Sequence, residues 1–281
     1  MEIIERILDM QRWSDAERRQ GRRIALVPTM GALHEGHLSL VRDAKMRGNR
    51  VVVSLFVNPA QFAPQEDFAS YPRDFERDRE LLNDTGIDVL FHPAVEEIYP
   101  EGFDTQIEIR ELSRPLCGAV RRGHFSGVAT VVAKLFNIVR PHVAIFGCKD
   151  YQQLQIIRRL VRDLNFDVEV IGHPTVREAD GLAMSSRNAY LDPAERKAAL
   201  CLYRSLRHAE EMIRLGERRG AAIVDAARGE IAREALARIE YVSLCDPESL
   251  REIDPVQDAA LLALAVRIGK ARLIDNIILK P

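Results

Sequence analysis

PTMGALHEGH, residues Pro28–His37, leaves the apolar run Ile24–Val27 and leads into HLSLVRDAKMRG, where apolar residues recur at helical spacing. A buried strand, a glycine-bearing turn and a helix in that order make the first half of a βα unit. The same order recurs. VVVSLFV (51–57), IDVLF (87–91), VAIFG (143–147) and FDVEVIG (166–172) read as further strands, apolar on both faces. Helices over about 37–47, 74–83, 127–139 and 151–164 separate them. Ser126 is expected to cap the third of these helices, Pro141 to end it, and Asp150 to start the fourth. Strands without a polar face need cover on both sides, which predicts a mainly parallel sheet between layers of helices. With right-handed crossovers this is an α/β fold, a Rossmann-like doubly wound sheet over residues 1–175. The charged N-terminus MEIIERILDMQRWSDAERRQG reads as a single amphipathic helix.

After about Val176 the order changes. Asp192-Pro193 opens a long helix to about Gly216, and a second helix ends near Arg238. IEYVSLCD, ALLALAV and ARLIDNIIL then follow as strands with no helix between them. Bunched strands of this kind predict a smaller α+β domain with an antiparallel sheet over residues 176–281.

The bulk chemistry narrows the class. Of 281 residues, 47% are apolar and 29% charged, with a formal net charge of −2. Such a balance gives no global attraction to nucleic acid or to an anionic membrane. Cys117, Cys148, Cys201 and Cys245 are scattered, with no C-x-x-C pair. That argues against a zinc knuckle or a disulfide framework and points to a reducing compartment. No apolar signal region opens the chain, and ALLALAV is far too short to span a bilayer. The expectation is a soluble, cytoplasmic protein acting on small molecules.

Four clusters carry polar chemistry. In open parallel sheets, ligands sit beyond the carboxyl ends of strands, where helix N-termini present free N–H groups. PTMGALHEGH falls there, with Gly31 and Gly36 allowing close backbone approach to a phosphate. His34 and His37 are spaced to face one ligand, and an imidazole N–H strengthens its bond as charge develops on a phosphoryl oxygen. Simple capping or solvation of the two rings is the competing reading. A zinc pair lacks an obvious third ligand, and Glu35 points away from both rings. The second cluster, VNPAQFAPQEDFASYPRD, offers Asn58, Gln61 and Tyr71, neutral groups suited to a hydroxy acid, or simply a rigid proline-rich loop. FGCKDYQQLQ, the third, places Lys149 and Asp150 after a strand, a point charge for phosphate or an exposed turn. In the fourth, Met184–Asn188 (MSSRN) groups two hydroxyls and a guanidinium, suited to a pyrophosphate group or to capping the helix at Asp192.

Taken together, PTMGALHEGH, SLFVNPAQF, YPRD, RGHFSGVATVV, FGCKDYQQLQ and MSSRNAYL resemble the pantoate–β-alanine ligase family. That family belongs to the nucleotidyltransferases with an H-x-G-H motif, here HEGH (34–37), and a mobile K-M-S-K-S-type loop, here MSSRN (184–188). The resemblance implies that Met30, Gly31, Ala32, Leu33, His34, Glu35, Gly36 and His37 bind ATP. It adds Gly147, Cys148, Lys149, Asp150, Val176, Met184, Ser185, Ser186 and Arg187 to the ATP site. His37 is the implied catalytic histidine, with His34, Lys149 and Arg187 as further donors to phosphate. Gln61 is implied to contact pantoate and β-alanine, and Gln153 pantoate. ATP with Mg2+, pantoate and β-alanine are the implied substrates, pantoyl adenylate the intermediate, and a homodimer the assembly. The protein ligands of Mg2+, if any, are left open. Two residues depart from the family pattern: Cys148, where a longer polar side chain is common, and Arg122, where proline is. The first raises the expectation of sensitivity to thiol reagents.

Overall fold

The chain enters its main sheet earlier than the sequence pattern suggests. In the structure, a computed structural model describing residues 1–64, 66 and 68–281, Glu2–Ile4 already forms a strand, β1. The expected N-terminal helix is therefore shorter, α1 at Ile7–Arg19. β2 (Ile24–Thr29), α2 (Glu35–Arg47), β3 (Arg50–Leu55), α3 (Phe75–Thr85), β4 (Val89–Phe91) and α4 (Val95–Ile98) follow. Next come α5 (Cys117–Val120), α6 (His124–Val139), β5 (Val143–Gly147), α7 (Tyr151–Asp163) and β6 (Glu169–His173).

These six strands form one sheet in the order β1-β4-β3-β2-β5-β6, with every pair parallel. The order runs outward in both directions from β2 and β5, so the sheet is doubly wound and its switch point lies between those two strands. Alternate residues serve alternate faces. Ile24 and Leu26 of β2 enter a core with α6 and α7, while Ala25 and Val27 enter a second core with α2. Burial on both faces is why these strands lack a polar side.

Four local expectations are corrected. Ser126 does not cap α6: Gly123 holds that position, and the Ser126 hydroxyl lies in the first turn, donating to the Ile107 carbonyl at 2.7 Å. β6 starts at Glu169 rather than Phe166, whose ring instead packs edge-on against Phe136 at 5.6 Å. The helix expected over 192–216 divides at Ala199 into α8 (Pro193–Ala198) and α9 (Leu200–Arg214). α10 (Gly220–Ala232) also stops short of Arg238, because Glu234 and Ala237 donate to carbonyls three residues back and turn the chain into a strand.

That strand, β7 (Ala237–Cys245), pairs antiparallel with β8 (Ala260–Ile268), which pairs antiparallel with β9 (Ala271–Leu279). One face of this sheet buries Val242, Leu244, Leu262, Leu264 and Leu273 against α9 and α10. The chain divides into two compact units. The first comprises residues 1–113, 121–148 and 153–174, and the second 114–120, 149–152 and 175–281. No helix among the described residues is long and apolar enough to cross a membrane.

Candidate functional site

Within the first unit, the turn after β2 sits at the carboxyl end of the strand beside the switch point. Its backbone is unusual: Gly31 has φ +81° and Ala32 φ +50°. A Cβ at Gly31 would meet the Asp78 carboxylate at 3.0 Å, so the position needs glycine for both conformation and space. Asp78, from α3 and 1% exposed, accepts the N–H groups of Ala32 and Leu33 at 2.8 Å each. Arg77 donates to the Leu33 carbonyl at 3.2 Å. Burial pushes the Asp78 carboxyl's pKa up, against the pull of the two amides.

The histidines complete the turn. His34 is the N-cap of α2, its Nδ1 accepting from the Gly36 N–H at 3.1 Å. His37 sits three residues on, its Nδ1 accepting from the His34 N–H at 3.3 Å. This is a capping box made of two imidazoles, with ring centroids 4.1 Å apart. Because each Nδ1 accepts, a neutral ring must carry its proton on Nε2. Capping and phosphate chemistry are thus not alternatives: the cap selects the tautomer that leaves Nε2–H as a donor. The same bonds occupy part of the turn's backbone. The amides of Ala32 and Leu33 go to Asp78 and that of Gly36 to His34. Glu35 is exposed and ion-paired with Arg42.

The segment after β3 is built just as tightly. Asn58 caps a short 3₁₀ turn, Pro59–Gln61, and is 1% exposed. Its oxygen accepts from the Ala60 N–H and the Tyr99 hydroxyl, and its NH2 donates to the Gly127 carbonyl and to Gln61 Oε1. With both lone pairs and both hydrogens engaged, Asn58 acts here as a support of Gln61. Gly127 permits this: a Cβ there would lie 2.2 Å from the Ala60 carbonyl oxygen. Gln61, 8% exposed, donates Nε2 to the Met30 sulfur at 2.8 Å, a weak acceptor that a carboxylate or hydroxyl outcompetes. The Gln61 carbonyl is held by His124 Nδ1 at 2.8 Å, and Arg121 bridges His124 to Glu66. Tyr71 is buried, its ring edge-on to Phe62 at 5.9 Å.

β5 ends at Gly147. Cys148 follows, half-buried, and burial pushes its thiol's pKa up against the pull of Arg158. On α7 the two glutamines differ. Gln152 accepts from the Cys117 N–H at 3.0 Å and donates to the Pro115 carbonyl at 2.8 Å. Gln153 is half-buried, and among the described residues its side chain makes no hydrogen bond.

The second unit holds the remaining candidates. Lys149 Nζ donates to the Met184 carbonyl at 2.8 Å. Burial pushes the ammonium's pKa down, Asp150 and Asp275 pull it up, and Arg187 and Arg177 oppose them. The Met184 N–H donates to the Val176 carbonyl at 3.0 Å, and Ser185 caps a 3₁₀ turn, Ser186–Tyr190, through the Arg187 N–H at 3.3 Å. Asn188 braces that turn through Glu178 at 2.7 Å and the Ala183 carbonyl at 3.2 Å.

Residue chemistry alone missed Asp78, Asp275 and Asn276. The first is one acid among many in FERDRELL and carries no local mark. The other two left a trace, a polar pair inside the apolar run ARLIDNIIL. Among the described residues, no group of three or more His, Cys, Asp or Glu side chains is placed to hold a metal ion.

A doubly wound parallel sheet with a paired-histidine turn at its switch point, followed by an antiparallel α+β unit, defines a Rossmann-like α/β protein with the HxGH signature. Comparison with known proteins gives the rest. The family model described as pantoate-beta-alanine ligase matches residues 2–278. Pantothenate synthetase of Thermotoga neapolitana is 55% identical over 279 residues, 99% of this chain and all of that protein. The crystal structure of pantothenate synthetase from Thermus thermophilus superposes with a TM-score of 0.95 at 47% identity, covering both chains completely. A Francisella tularensis pantoate-beta-alanine ligase, complexed with beta-gamma ATP and beta-alanine, superposes with a TM-score of 0.80 at 35% identity, over 99% of this chain and 97% of that one. The chain belongs to the pantoate-beta-alanine ligase family.

Proposed function

We propose that this enzyme joins pantoate to β-alanine in two steps through a free acyl adenylate. A pantoate carboxylate oxygen attacks the α-phosphorus of Mg-ATP, the bond to the bridging oxygen breaks, and pyrophosphate leaves. The amine of β-alanine then attacks the acyl carbon, AMP departs, and the amine's surplus proton passes to solvent. The products are pantothenate, AMP and pyrophosphate. Mg2+ enters with the triphosphate as part of the substrate. The enzyme works on these small molecules in the cytoplasm, as a homodimer, without nucleic acid.

The observation that carries this reading is the double imidazole cap. A carboxylate is already a nucleophile, so catalysis consists of positioning and of neutralising charge on phosphate. His34 and His37, fixed as Nε2–H donors, supply neutral donors of fixed direction, with His37 the catalytic one. Lys149 and Arg187 supply positive charge. Met30–His37, Gly147–Asp150, Val176 and Met184–Arg187 are the stretches assigned to ATP. Gln61, freed from the Met30 sulfur, contacts pantoate and then β-alanine, and Gln153 offers its unused amide to pantoate. Amides suit a hydroxy acid because they orient it at lower desolvation cost than charged groups. The Francisella relative, complexed with beta-gamma ATP and beta-alanine, supports the same substrate set.

Isotope exchange between pyrophosphate and ATP tests the order of steps. Exchange is expected to require pantoate and to proceed without β-alanine. A requirement for β-alanine overturns the free adenylate.

A further inference from the structure

Asp275 and Asn276 interrupt an otherwise apolar last strand. Successive side chains leave a strand on opposite faces, so the pair serves both sides of the β7–β8–β9 sheet. On one side Asp275, 2% exposed, takes the Arg177 guanidinium in two bonds, at 2.6 and 2.9 Å. Arg177 also donates to the Gly181 carbonyl at 3.0 Å and stacks on the Tyr203 ring at 4.9 Å. Its backbone bridges to Ala183, immediately before Met184. Asp275 therefore fixes the root of the MSSR segment. On the other side Asn276 donates its NH2 to the Lys149 carbonyl at 2.8 Å. Lys149 in turn donates its ammonium to the Met184 carbonyl at 2.8 Å. The links close a ring: Asn276 to Lys149, to Met184, back along the chain to Arg177, to Asp275, and so to Asn276. All of it lies within one compact unit.

A buried carboxylate stabilises a core less well than an apolar side chain of similar size, which makes Asp275 an expensive choice for stability alone. A ring that holds both ends of a lysine explains its presence. We propose that Asp275 and Asn276 are positioning residues for Lys149, fixing its backbone and the carbonyl that receives its ammonium. The inference rests on the role given above to Lys149 at the phosphates of ATP. The Asp275 carboxylate has a second effect, since it helps keep the ammonium charged against burial, Arg177 and Arg187.

A double-mutant cycle read by pyrophosphate–ATP exchange tests the inference. Asn276→Ala is expected to lower the exchange rate by about tenfold, the worth of one well-placed hydrogen bond. Pantoate affinity and melting temperature should stay near wild type. In a Lys149→Ala background the same change should cost the exchange reaction nothing further, because the effect of Asn276 on exchange runs through the lysine. Multiplying effects overturn the inference. Asn276→Asp, which keeps the shape but presents an oxygen to the carbonyl, should be no better than alanine, and wild-type exchange in that variant also overturns it. Asp275→Asn should move the alkaline limb of the pH–rate profile to lower pH, and an unmoved limb removes Asp275 from the pair. A wild-type rate in Lys149→Ala alone is a separate failure, that of the role assigned to the lysine.

Discussion

Replacing Asp78 by asparagine removes one oxygen from a carboxylate that accepts two consecutive amides, those of Ala32 and Leu33, at 2.8 Å each. The new NH2 faces an N–H, so one buried donor is left without an acceptor. A hydrogen bond to a charged group contributes about 1.5–3 kcal/mol, and an orphaned buried donor costs about 1–3 kcal/mol. Part of this is returned, because burial disfavours the charge that the substitution deletes. A net loss of about 2 kcal/mol follows, or about 4–8 °C in melting temperature for a domain of this size. The kinetic effect should be larger. Ala32 holds φ +50°, a conformation that persists only while its surroundings impose it. Released, the turn relaxes, and a shift on the order of 1 Å in a positioning element costs about 10²-fold in rate. The assay is pyrophosphate–ATP exchange alongside calorimetric titration with a non-hydrolysable ATP analogue and a thermal melt. Exchange should fall by about 10²-fold with a smaller change in analogue affinity. A lowered melting temperature with exchange at the wild-type rate would refute the claim that Asp78 sets the geometry of the histidine turn.

The other expectations are as direct. His34→Asn keeps a favoured N-cap but deletes Nε2–H, so the melting temperature should hold while adenylation falls, by about 10²–10³ if the donor works chiefly in the transition state. His37→Ala should lower the rate similarly and lose the cap partner as well, and near-normal turnover in either variant reduces that ring to capping. Gln153→Ala should weaken pantoate binding by about 10–100-fold and leave ATP-analogue binding and the melting temperature unchanged; calorimetry in which the ATP analogue is lost instead reverses the assignment. Asp43 gives a pH test. Burial alone would raise its pKa, but hydrogen bonds from Arg47 at 2.6 Å and His173 at 3.1 Å hold it below the ordinary 3.8. Its contribution to stability is therefore present above that value and lost as pH falls through the depressed one. Asp43→Asn should destabilise the protein at neutral pH and flatten the acid limb of urea-melt stability, and an unchanged limb rules the residue out as its source.

The sequence by itself determined the alternation of strands and helices and the change to an antiparallel α+β unit. Apolar periodicities of 2 and 3.6 are local properties, readable wherever a segment buries a face. It also determined the chemical character of the turn, because HEGH lies within a single helical turn. β1 escaped for the opposite reason. Three residues, EII, carry no period, and only pairing with Val89–Phe91 makes them a strand. The state of the site was likewise settled in three dimensions. Whether the amides of PTMGALHEGH face a ligand depends on Asp78, 46 residues from Ala32, and on which nitrogen of each imidazole accepts a backbone N–H. Asn58 is plainly a polar loop amide in the sequence, but only the fold shows Tyr99 and Gly127, distant in the chain, taking one of its oxygen lone pairs and one of its hydrogens. A side chain's type is written locally. Its spare hydrogen-bonding capacity is what remains after partners from elsewhere in the chain have been satisfied, and only the tertiary structure brings those partners together.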